Sequence, residues 1–197
     1  MYNINLYSEL LADGFKNDPG ILLQLKGLEK PLELFKAQCR GEIEAFSKRG
    51  FVNTYNDDGI LIGFSSRYME NEDYIQCLNE SSKYLLEKAS EKDIITMQNN
   101  AMKVASITKS DWYKKFTHNN EVFIIQVVVV KEEARGTGIF RRLITPILET
   151  CAQNNIPVAL QTHNFDNVAK YEHLGFKLME EILLKELNLT CYNLLKY

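Results

Sequence analysis

The chain is poor in residues that would signal a metal centre, a disulfide scaffold or a nucleic-acid surface. Its four cysteines are scattered, at positions 39, 77, 151 and 191, and no pair has Cys-x-x-Cys spacing, which favours reduced thiols. None of its three histidines lies four residues from another, so no metal site is expected. The formal net charge is -3 and there is no basic run, so nucleic acid is not an expected partner.

Long apolar runs are also missing. No segment approaches the ~20 apolar residues that a membrane helix needs. The start of the chain, Met-Tyr-Asn-Ile-Asn-Leu-Tyr-Ser-Glu, has neither a basic beginning nor an apolar signal core. We therefore expect a cytoplasmic protein with no membrane partner. With 45% hydrophobic and 25% charged residues, the 197-residue chain predicts a single domain over 1–197 with a buried core.

Apolar periodicity and turn residues predict an alternation of helices and strands. In chain order the expected elements are a helix at 6–16, a helix at 31–48, a hairpin at 51–64, two helices inserted at 67–118, a strand at 121–130, a helix at 138–153, a strand at 157–160, a short helix at 167–174 and one or two strands at 181–197. The 67–118 stretch is polar and rich in lysine and glutamate, which marks it as a helical insertion.

The most informative stretch is 122–144. A valine-rich strand ends there at a charged turn, and an Arg-Gly-Thr-Gly loop opens the next helix. Free backbone N–H groups at a helix start, together with the helix dipole, form an anion site. The stretch therefore predicts a phosphate-bearing ligand near residues 135–141. It is not a Walker A loop, and Arg141 stands where a dinucleotide fingerprint has its third glycine.

Two motifs in register resemble the GNAT superfamily of N-acetyltransferases. The loop and helix start at 135–140, Arg-Gly-Thr-Gly-Ile-Phe, are similar to its Gln/Arg-x-x-Gly-x-Gly/Ala signature. About 29 residues further on, Asn167-Val-Ala-Lys-Tyr171 with the following Gly-Phe resembles the Asn-x-x-x-Tyr…Gly-Phe hallmark. The early Gly-Phe-x-x-Asp-Pro at 14–19 resembles the first helix of many small-molecule members. The resemblance covers roughly 120–180, extends to 1–66 and is absent over 67–118.

The resemblance implies an α/β fold with a mixed, mostly antiparallel sheet flanked by helices. It also implies acetyl-CoA as co-substrate and transfer of its acetyl group to a primary amine by direct attack on the thioester. A small-molecule acceptor is expected, and the excess of acidic residues favours a cationic amine. The 67–118 insertion is expected to shape the acceptor pocket, and a homodimer is compatible with this prediction.

For the cofactor, the resemblance implies three sets of contacts. Backbone N–H groups of the loop would hold the pyrophosphate, with charge-assisted contacts from Arg141. The splayed end of the long strand would pair with the pantetheine arm, and Asn167 would hydrogen-bond the pantetheine amides. The expected cofactor-binding residues are Val128, Val129, Val130, Arg135, Gly136, Thr137, Gly138, Ile139, Phe140, Arg141, Asn167 and Tyr171.

Tyr171 is the candidate general acid. In a helix it lies one turn after Asn167 on the same face, and a phenol of pKa ~10 stays protonated at neutral pH and can donate to a thiolate of pKa ~8.5. The sequence does not identify a base, and water-relayed deprotonation without a dedicated residue is one alternative. Glu121 is the candidate residue, because it lies near the start of the long strand, where some members of the family have a catalytic glutamate. In a regular strand the Glu121 side chain points to the face opposite to that of Val128 and Val130. Glu121 therefore needs a β-bulge between these positions to face the site.

Alternative roles remain open for several of these residues. Phe140 departs from the family pattern, which has glycine or alanine there; a side chain in the core leaves the phosphate cradle intact, whereas one facing the ligand lowers cofactor affinity. Tyr171 could be a core residue, and Asn167 could be an N-cap in competition with Asp166. A CoA-binding or sensing module without turnover, and a protein or peptide acetyltransferase, are the alternative functions. The histidines interpreted as surface or structural residues are His118, His163 and His173.

Overall fold

The computed structural model describes residues 3–70 and 72–197. The α-helices are α1 (Ile4–Phe15), α2 (Pro19–Gln24), α3 (Pro31–Ser47), α4 (Glu72–Ser81), α5 (Lys83–Lys88), α6 (Glu91–Ala105), α7 (Ile139–Gln153) and α8 (Asp166–Glu172). The strands are β1 (Val52–Tyr55), β2 (Gly59–Ser65), β3 (Phe123–Val130), β4 (Val158–Thr162), β5 (Lys177–Leu184) and β6 (Leu189–Lys196). Short 3-10 turns lie at Ser66–Glu70, Trp112–Lys115, Glu132–Ala134 and Lys185–Leu187.

The strands form one mixed sheet in the order β1-β2-β3-β4-β6-β5. Strands β3 and β4 run parallel, and each of the other neighbouring pairs described is antiparallel. The long connection between β3 and β4 passes through α7, as a parallel pair requires. The predicted α/β fold with a mixed, mostly antiparallel sheet flanked by helices is confirmed.

Strands β3 and β4 pair over a short distance and then diverge. Their ladder runs from Phe123 with Val158 to Ile125 with Leu160, whereas the part of β3 beyond Ile125 pairs with β2 alone. The two strands therefore open a V-shaped groove towards their carboxyl ends.

A β-bulge interrupts β3 where this groove begins. Ile62 of β2 pairs with Val127, and the next residue, Gly63, pairs with Ile125. Gln126 is therefore an extra residue without an opposite partner, which is the defining feature of a bulge. The bulge shifts the alternation of side chains by one residue between the two parts of the strand.

The sheet is covered on both faces. On one, called here the α3 face, lie α1, α3 and much of the 67–118 segment; on the other, called the α7 face, lie α7 and α8. Fully buried side chains of the α3 face include Leu11, Ile43, Phe46, Ile60 and Ile62. Those of the α7 face include Leu61, Leu143, Ile144, Val158 and Leu194. Both faces of the central strands are thus shielded from water.

Two of the expected elements differ in the structure. The 67–118 stretch has three α-helices in its described part rather than two, because the chain turns at Ser82 and divides the first helical stretch into α4 and α5. Ser90 then begins α6 by accepting a hydrogen bond from the Asp93 amide at 3.1 Å. The final strands begin at Lys177, four residues before the expected start, and they are two.

Helix α2 is an element that the sequence pattern did not predict, since Asn-Asp-Pro at 17–19 indicated only the end of the first helix. Asp18 also starts α2, because its side-chain oxygen accepts the amides of Gly20 and Ile21 at 2.9 and 3.1 Å, and Pro19 occupies the first helical position. Within the described parts of the chain, every helix falls short of the length and apolar character that a bilayer crossing demands.

Candidate active site

The loop between β3 and α7 presents unpaired backbone amides. Gly138 precedes the first residue of α7, and both Gly136 and Gly138 adopt positive φ angles, of 82° and 86°. A Cβ at either glycine would meet no atom within 4 Å, so backbone conformation rather than crowding requires glycine here. Among the described residues no hydrogen bond uses the amides of Gly136, Gly138, Ile139, Phe140 and Arg141. The loop therefore has the donors that an anion needs at a helix N-terminus.

Cationic side chains surround this loop. Arg135 and Arg141 are exposed, and neither forms an ion pair within the described part of the chain. Arg142 lies over the ring of Tyr55, with its guanidinium carbon 5.4 Å from the ring centre. The predicted phosphate-binding residues thus come together on one surface, and the chemistry of the donor set fits a diphosphate.

Phe140 packs into the protein. Its ring lies against the core of the α7 face, with its centre 6.0 Å from that of Tyr171. Its side chain is thereby held among apolar neighbours while its own amide stays free. Of the two alternatives for Phe140, this is the one in which the side chain lies in the core and leaves the loop amides accessible to a phosphate.

Tyr171 lies in the core of the α7 face and is 9% exposed. Its ring packs between Phe140 and Phe176, whose ring centre is 5.7 Å away. Burial raises the pKa of the Tyr171 phenol well above its ordinary value, so the phenol stays protonated at physiological pH. Its hydroxyl makes no hydrogen bond to any described residue. Tyr171 is therefore a buried, protonated and unpaired donor.

Asn167 does not cap α8. The amide of Asp166 donates instead to the side-chain oxygen of Asn164 at 3.0 Å. Asn167 Nδ2 donates to Thr162 Oγ1 at 3.4 Å, and Lys170 Nζ donates to Asn167 Oδ1 at 2.9 Å. Asn167 therefore lies beside the end of β4, and its role in cofactor binding stays a prediction.

A cavity of about 430 Å³ opens on the α3 face where β3 and β4 diverge. Its floor is formed by 124–127 of β3 and 159–163 at the end of β4, and its walls come from α1, α2, α3 and the 67–118 segment. The aromatic side chains that line it are Phe15, Phe35, Phe64, Tyr74, Trp112 and Tyr113. The size and lining are those of a small-molecule site, for which about 300–1,000 Å³ is typical.

The polar groups of the cavity are acidic or neutral. Its carboxylates are Asp18 and Glu42, and four glutamine amides also line it, whereas no described lysine or arginine does. An acidic cavity with aromatic walls suits a cationic ligand with an apolar body.

Glu42 is half-buried in the wall of this cavity. Its Oε1 accepts a hydrogen bond of 2.6 Å from Nε2 of Gln126, the extra residue of the bulge. Burial raises the pKa of Glu42 to about 7, although the hydrogen bond from Gln126 lowers it. Glu42 was not among the site residues predicted from the sequence. The available signal was its position three residues after Cys39 on the buried face of α3, where a glutamate is uncommon.

His163 also lines the cavity, and its side chain is 15% exposed. The sequence predicted a surface or structural role for His163 and did not place it beside a cavity. Its Nε2 lies 3.1 Å from Thr108 Oγ1, and its Nδ1 lies 3.9 Å from Asp18 Oδ1. Burial lowers the pKa of His163 and the charge of Asp18 opposes this shift. The ring is thus held between α2 and the segment that follows α6.

Glu121 lies just before β3, away from the cavity lining. Ser65 Oγ donates to its Oε1 at 2.7 Å, and Arg67 Nε lies 3.3 Å from its Oε2. The β-bulge that Glu121 needs in order to face the site is present in β3. The Glu121 carboxylate, however, is engaged by Ser65 and Arg67. Its role as base stays a prediction.

Comparisons with known proteins agree with this geometry. The model of the acetyltransferase (GNAT) family matches residues 28–176, and the chain therefore belongs to this family. An uncharacterized N-acetyltransferase of Schizosaccharomyces pombe is 30% identical over 86 residues, which are 44% of this chain and 34% of that protein. The match thus spans about a third of the length of the curated relative.

Solved structures share the fold over nearly the whole chain. The Corynebacterium glutamicum protein called histone acetyltransferase HPA2 and related acetyltransferase has a TM-score of 0.61 at 13% identity, covering 100% of this chain and 92% of that one. An N-acetyltransferase of Staphylococcus aureus has a TM-score of 0.57 at 15% identity, covering 96% and 92%. A mosquito protein, arylalkylamine N-acetyltransferase like 5b, has a TM-score of 0.54 at 11% identity, covering 96% and 94%. At these identities the likeness shows the fold.

Proposed function

We propose that this protein transfers the acetyl group of acetyl-CoA to the primary amine of a small molecule. The observation that carries the proposal is the cavity at the divergence of β3 and β4, which opens on the face opposite α7. A donor bound along the groove and an acceptor bound in the cavity would meet between the two strands. Membership of the acetyltransferase family supports the reaction type.

The donor would be held by backbone groups. The free amides of Gly136 and of 138–141 would bind the pyrophosphate, and Arg135 and Arg141 would add charge, whereas the Thr137 amide already donates to the Ala134 carbonyl at 3.4 Å. Beyond the bulge, the edge of β3 that faces β4 pairs with no strand among the described residues. The backbone of Val128, Val129 and Val130 would therefore pair with the pantetheine amides, and Asn167 would add a side-chain amide.

Tyr171 would serve as the general acid. In the reaction a C–N bond forms to the acetyl carbon, the C–S bond breaks and the leaving sulfur needs a proton. The protonated and unpaired phenol of Tyr171 would supply it, and an N–H of β3 would stabilise the tetrahedral oxyanion. The nitrogen would lose one proton to solvent as the amide forms, and the phenol would recover one from solvent.

The volume and the aromatic lining of the cavity favour a small-molecule acceptor over a peptide. Three helices and the 67–118 segment wall it, and its volume is that of a compact ligand. A peptide acceptor would instead need an open channel across the sheet.

A thiol-release assay tests the proposal. The full chain is incubated with acetyl-CoA and a panel of primary amines or short peptides, and acetyl-CoA binding is measured in parallel by calorimetry. Thiol release with free amines is the expected result. Saturable binding without release would favour a CoA-sensing module, and acetylation of peptides alone would overturn the small-molecule acceptor.

A further inference from the structure

We infer that Glu42 binds the ammonium group of the acceptor and removes its proton, with Gln126 as the residue that positions the Glu42 carboxylate. This inference rests on the proposed function and names the acceptor subsite within it. The ligand it requires is a primary amine that is cationic in solution and has an apolar body.

The first support is the place of the carboxylate in the fold. The β3–β4 ladder ends at Ile125, and the next residue, Gln126, is the bulge residue whose side chain reaches Glu42 across 2.6 Å. Glu42 therefore lies beside the point where the groove between the strands opens into the cavity. An amine bound to Glu42 would have its nitrogen at this opening, where an acyl donor in the groove is accessible.

The second support is that Glu42 has no cationic partner. It forms no ion pair within the described residues, and Gln126, its hydrogen-bond donor, is neutral. A half-buried carboxylate without a cation is costly, and an ammonium ligand would offset this cost.

The titratable groups packed around Glu42 are neutral. Cys39 lies on the same helix, and Tyr74 and Cys77 face it from α4. Burial raises the pKa of the Cys77 thiol to about 11 and raises the pKa values of Cys39 and Tyr74 as well. Near neutral pH, Glu42 is therefore the group in this part of the wall that changes its charge.

The other acidic candidates are already engaged. Asp18 uses its Oδ1 to cap α2, where it accepts the amides of Gly20 and Ile21. Glu121 is held by Ser65 and Arg67 outside the cavity lining. Of the two carboxylates that line the cavity, Glu42 has no helix-capping role and no histidine beside it, and its Oε2 accepts no hydrogen bond from a described residue.

The proton balance of the reaction follows. An alkyl ammonium has a pKa near that of lysine, about 10.4, so the amine arrives protonated. Glu42 takes one proton from the nitrogen, and the freed lone pair attacks the acetyl carbon. Glu42 passes this first proton to solvent, and the nitrogen of the tetrahedral adduct gives up its second proton to Glu42 or to solvent. As the C–S bond breaks, Tyr171 protonates the sulfur and recovers a proton from solvent, so that one proton is released overall. A base with a pKa near the working pH is the most effective for this step.

Kinetics of Glu42→Gln against pH test the catalytic part of the inference, with phenethylamine as acceptor. For the wild type, kcat/KM should rise with pH through a limb near the Glu42 pKa of about 7. In Glu42→Gln this limb should disappear and kcat/KM at neutral pH should fall by about 10²-fold. Acetyl-CoA affinity should stay unchanged, which verifies folding. Wild-type rates and an unchanged limb in the variant would overturn the inference.

Two further variants sharpen this test. Glu44→Gln makes the same chemical change two residues along α3, at a carboxylate that is bound by Tyr84 and Lys48 and is absent from the cavity lining. It should leave the pH profile unchanged. Gln126→Leu removes the hydrogen bond that lowers the Glu42 pKa, so the limb should move to higher pH. A limb that stays in place would exclude the positioning role of Gln126.

Equilibrium binding separates this inference from the proposed function. At about pH 8 the wild type should bind phenethylamine at least about tenfold more tightly than phenethyl alcohol, and Glu42→Gln should lose this preference. The preference without turnover would refute acetyl transfer and retain the ammonium subsite. A wild type that does not distinguish the amine from the alcohol would overturn the subsite, whatever its activity.

Discussion

Phe140 and Tyr171 pack ring against ring, with their centres 6.0 Å apart and their planes inclined by 58°. Phe140 belongs to the first turn of α7, which carries the free amides, and Tyr171 belongs to α8. The contact therefore links the phosphate loop to the proposed general acid. A large residue at this family position supports the site from within the core.

Phe140→Ala should lower kcat strongly and the free energy of unfolding only moderately. Because the ring is only partly buried, we expect a loss of about 1–3 kcal/mol in the free energy of unfolding. Tyr171 would lose one of its two aromatic neighbours, so kcat should fall more than acetyl-CoA affinity. Denaturant unfolding and steady-state kinetics measure both. Phe165→Ala is the control, because that side chain is 64% exposed and should cost little; equal losses in the two variants would refute the coupling.

Tyr171→Phe should lower kcat by a factor on the order of 10²–10³, the range for loss of a general acid. Since the hydroxyl has no hydrogen-bond partner in the described part of the chain, the free energy of unfolding should hardly change. Acetyl-CoA affinity should also persist. Rapid-quench or thiol-release kinetics with calorimetric titration check this, and an undiminished kcat would remove Tyr171 from the mechanism.

Gly138→Ala should weaken acetyl-CoA binding through the backbone. The φ angle of 86° is unfavourable for alanine, at a cost of about 1 kcal/mol, so the variant either strains or rearranges the loop amides. Gly50→Ala is a matched control: its φ is 74°, a Cβ there also meets no atom within 4 Å, and it lies at the end of α3. Both variants should lose similar stability, whereas calorimetry should show lower acetyl-CoA affinity for Gly138→Ala only.

Stability should depend on pH through Glu42. Its pKa in the folded protein is about 7, above the ordinary value of 4.5, so the folded state holds the proton more tightly. The resulting stabilisation is complete below pH 4.5 and is lost as the pH rises through about 7. Relative to wild type, Glu42→Gln should therefore gain on the order of 1–3 kcal/mol between about pH 5 and about pH 8.

Glu44→Gln is the control for this pH dependence. Hydrogen bonds from Tyr84 and Lys48 lower the pKa of Glu44, so its stabilisation is present at neutral pH and is lost on acidification, the opposite sign. Thermal or urea unfolding over the pH range measures both differences. A flat difference between wild type and Glu42→Gln would show that Glu42 titrates normally.

Local signals in the sequence were sufficient to predict the strand, loop and helix that form the proposed phosphate site. The valine run, the glycine pair and the apolar stripe of α7 lie within 122–153, so every relevant contact is short in sequence. The family followed from two such local motifs and is confirmed by the match over 28–176. Helix α2 was not predicted, because its six residues are too few to show an apolar period, although Asp18 and Pro19 are residues typical of a helix start.

The acceptor side of the site was beyond local patterns. Glu42 and Gln126 are separated by 84 positions, and only the packing of α3 over the diverging strands brings them together. The bulge that places Gln126 arises because β3 has one residue more than the part of β2 that it pairs with. This difference is visible only once the two strands are paired. The position of Glu42 on the apolar face of α3 was the one local signal, and it does not indicate which strand or which residue the carboxylate meets.

The three residue pairs between β3 and β4 make the sheet two half-sheets joined by a short seam. So brief a ladder contributes little bending stiffness, and the angle between the halves must be fixed by side chains that bridge them on the α7 face, such as Ile125 and Leu160. The width of the proposed donor groove is therefore set by the apolar packing behind it, and volume changes at these two positions, which also belong to the cavity floor, would alter the fit of donor and acceptor together.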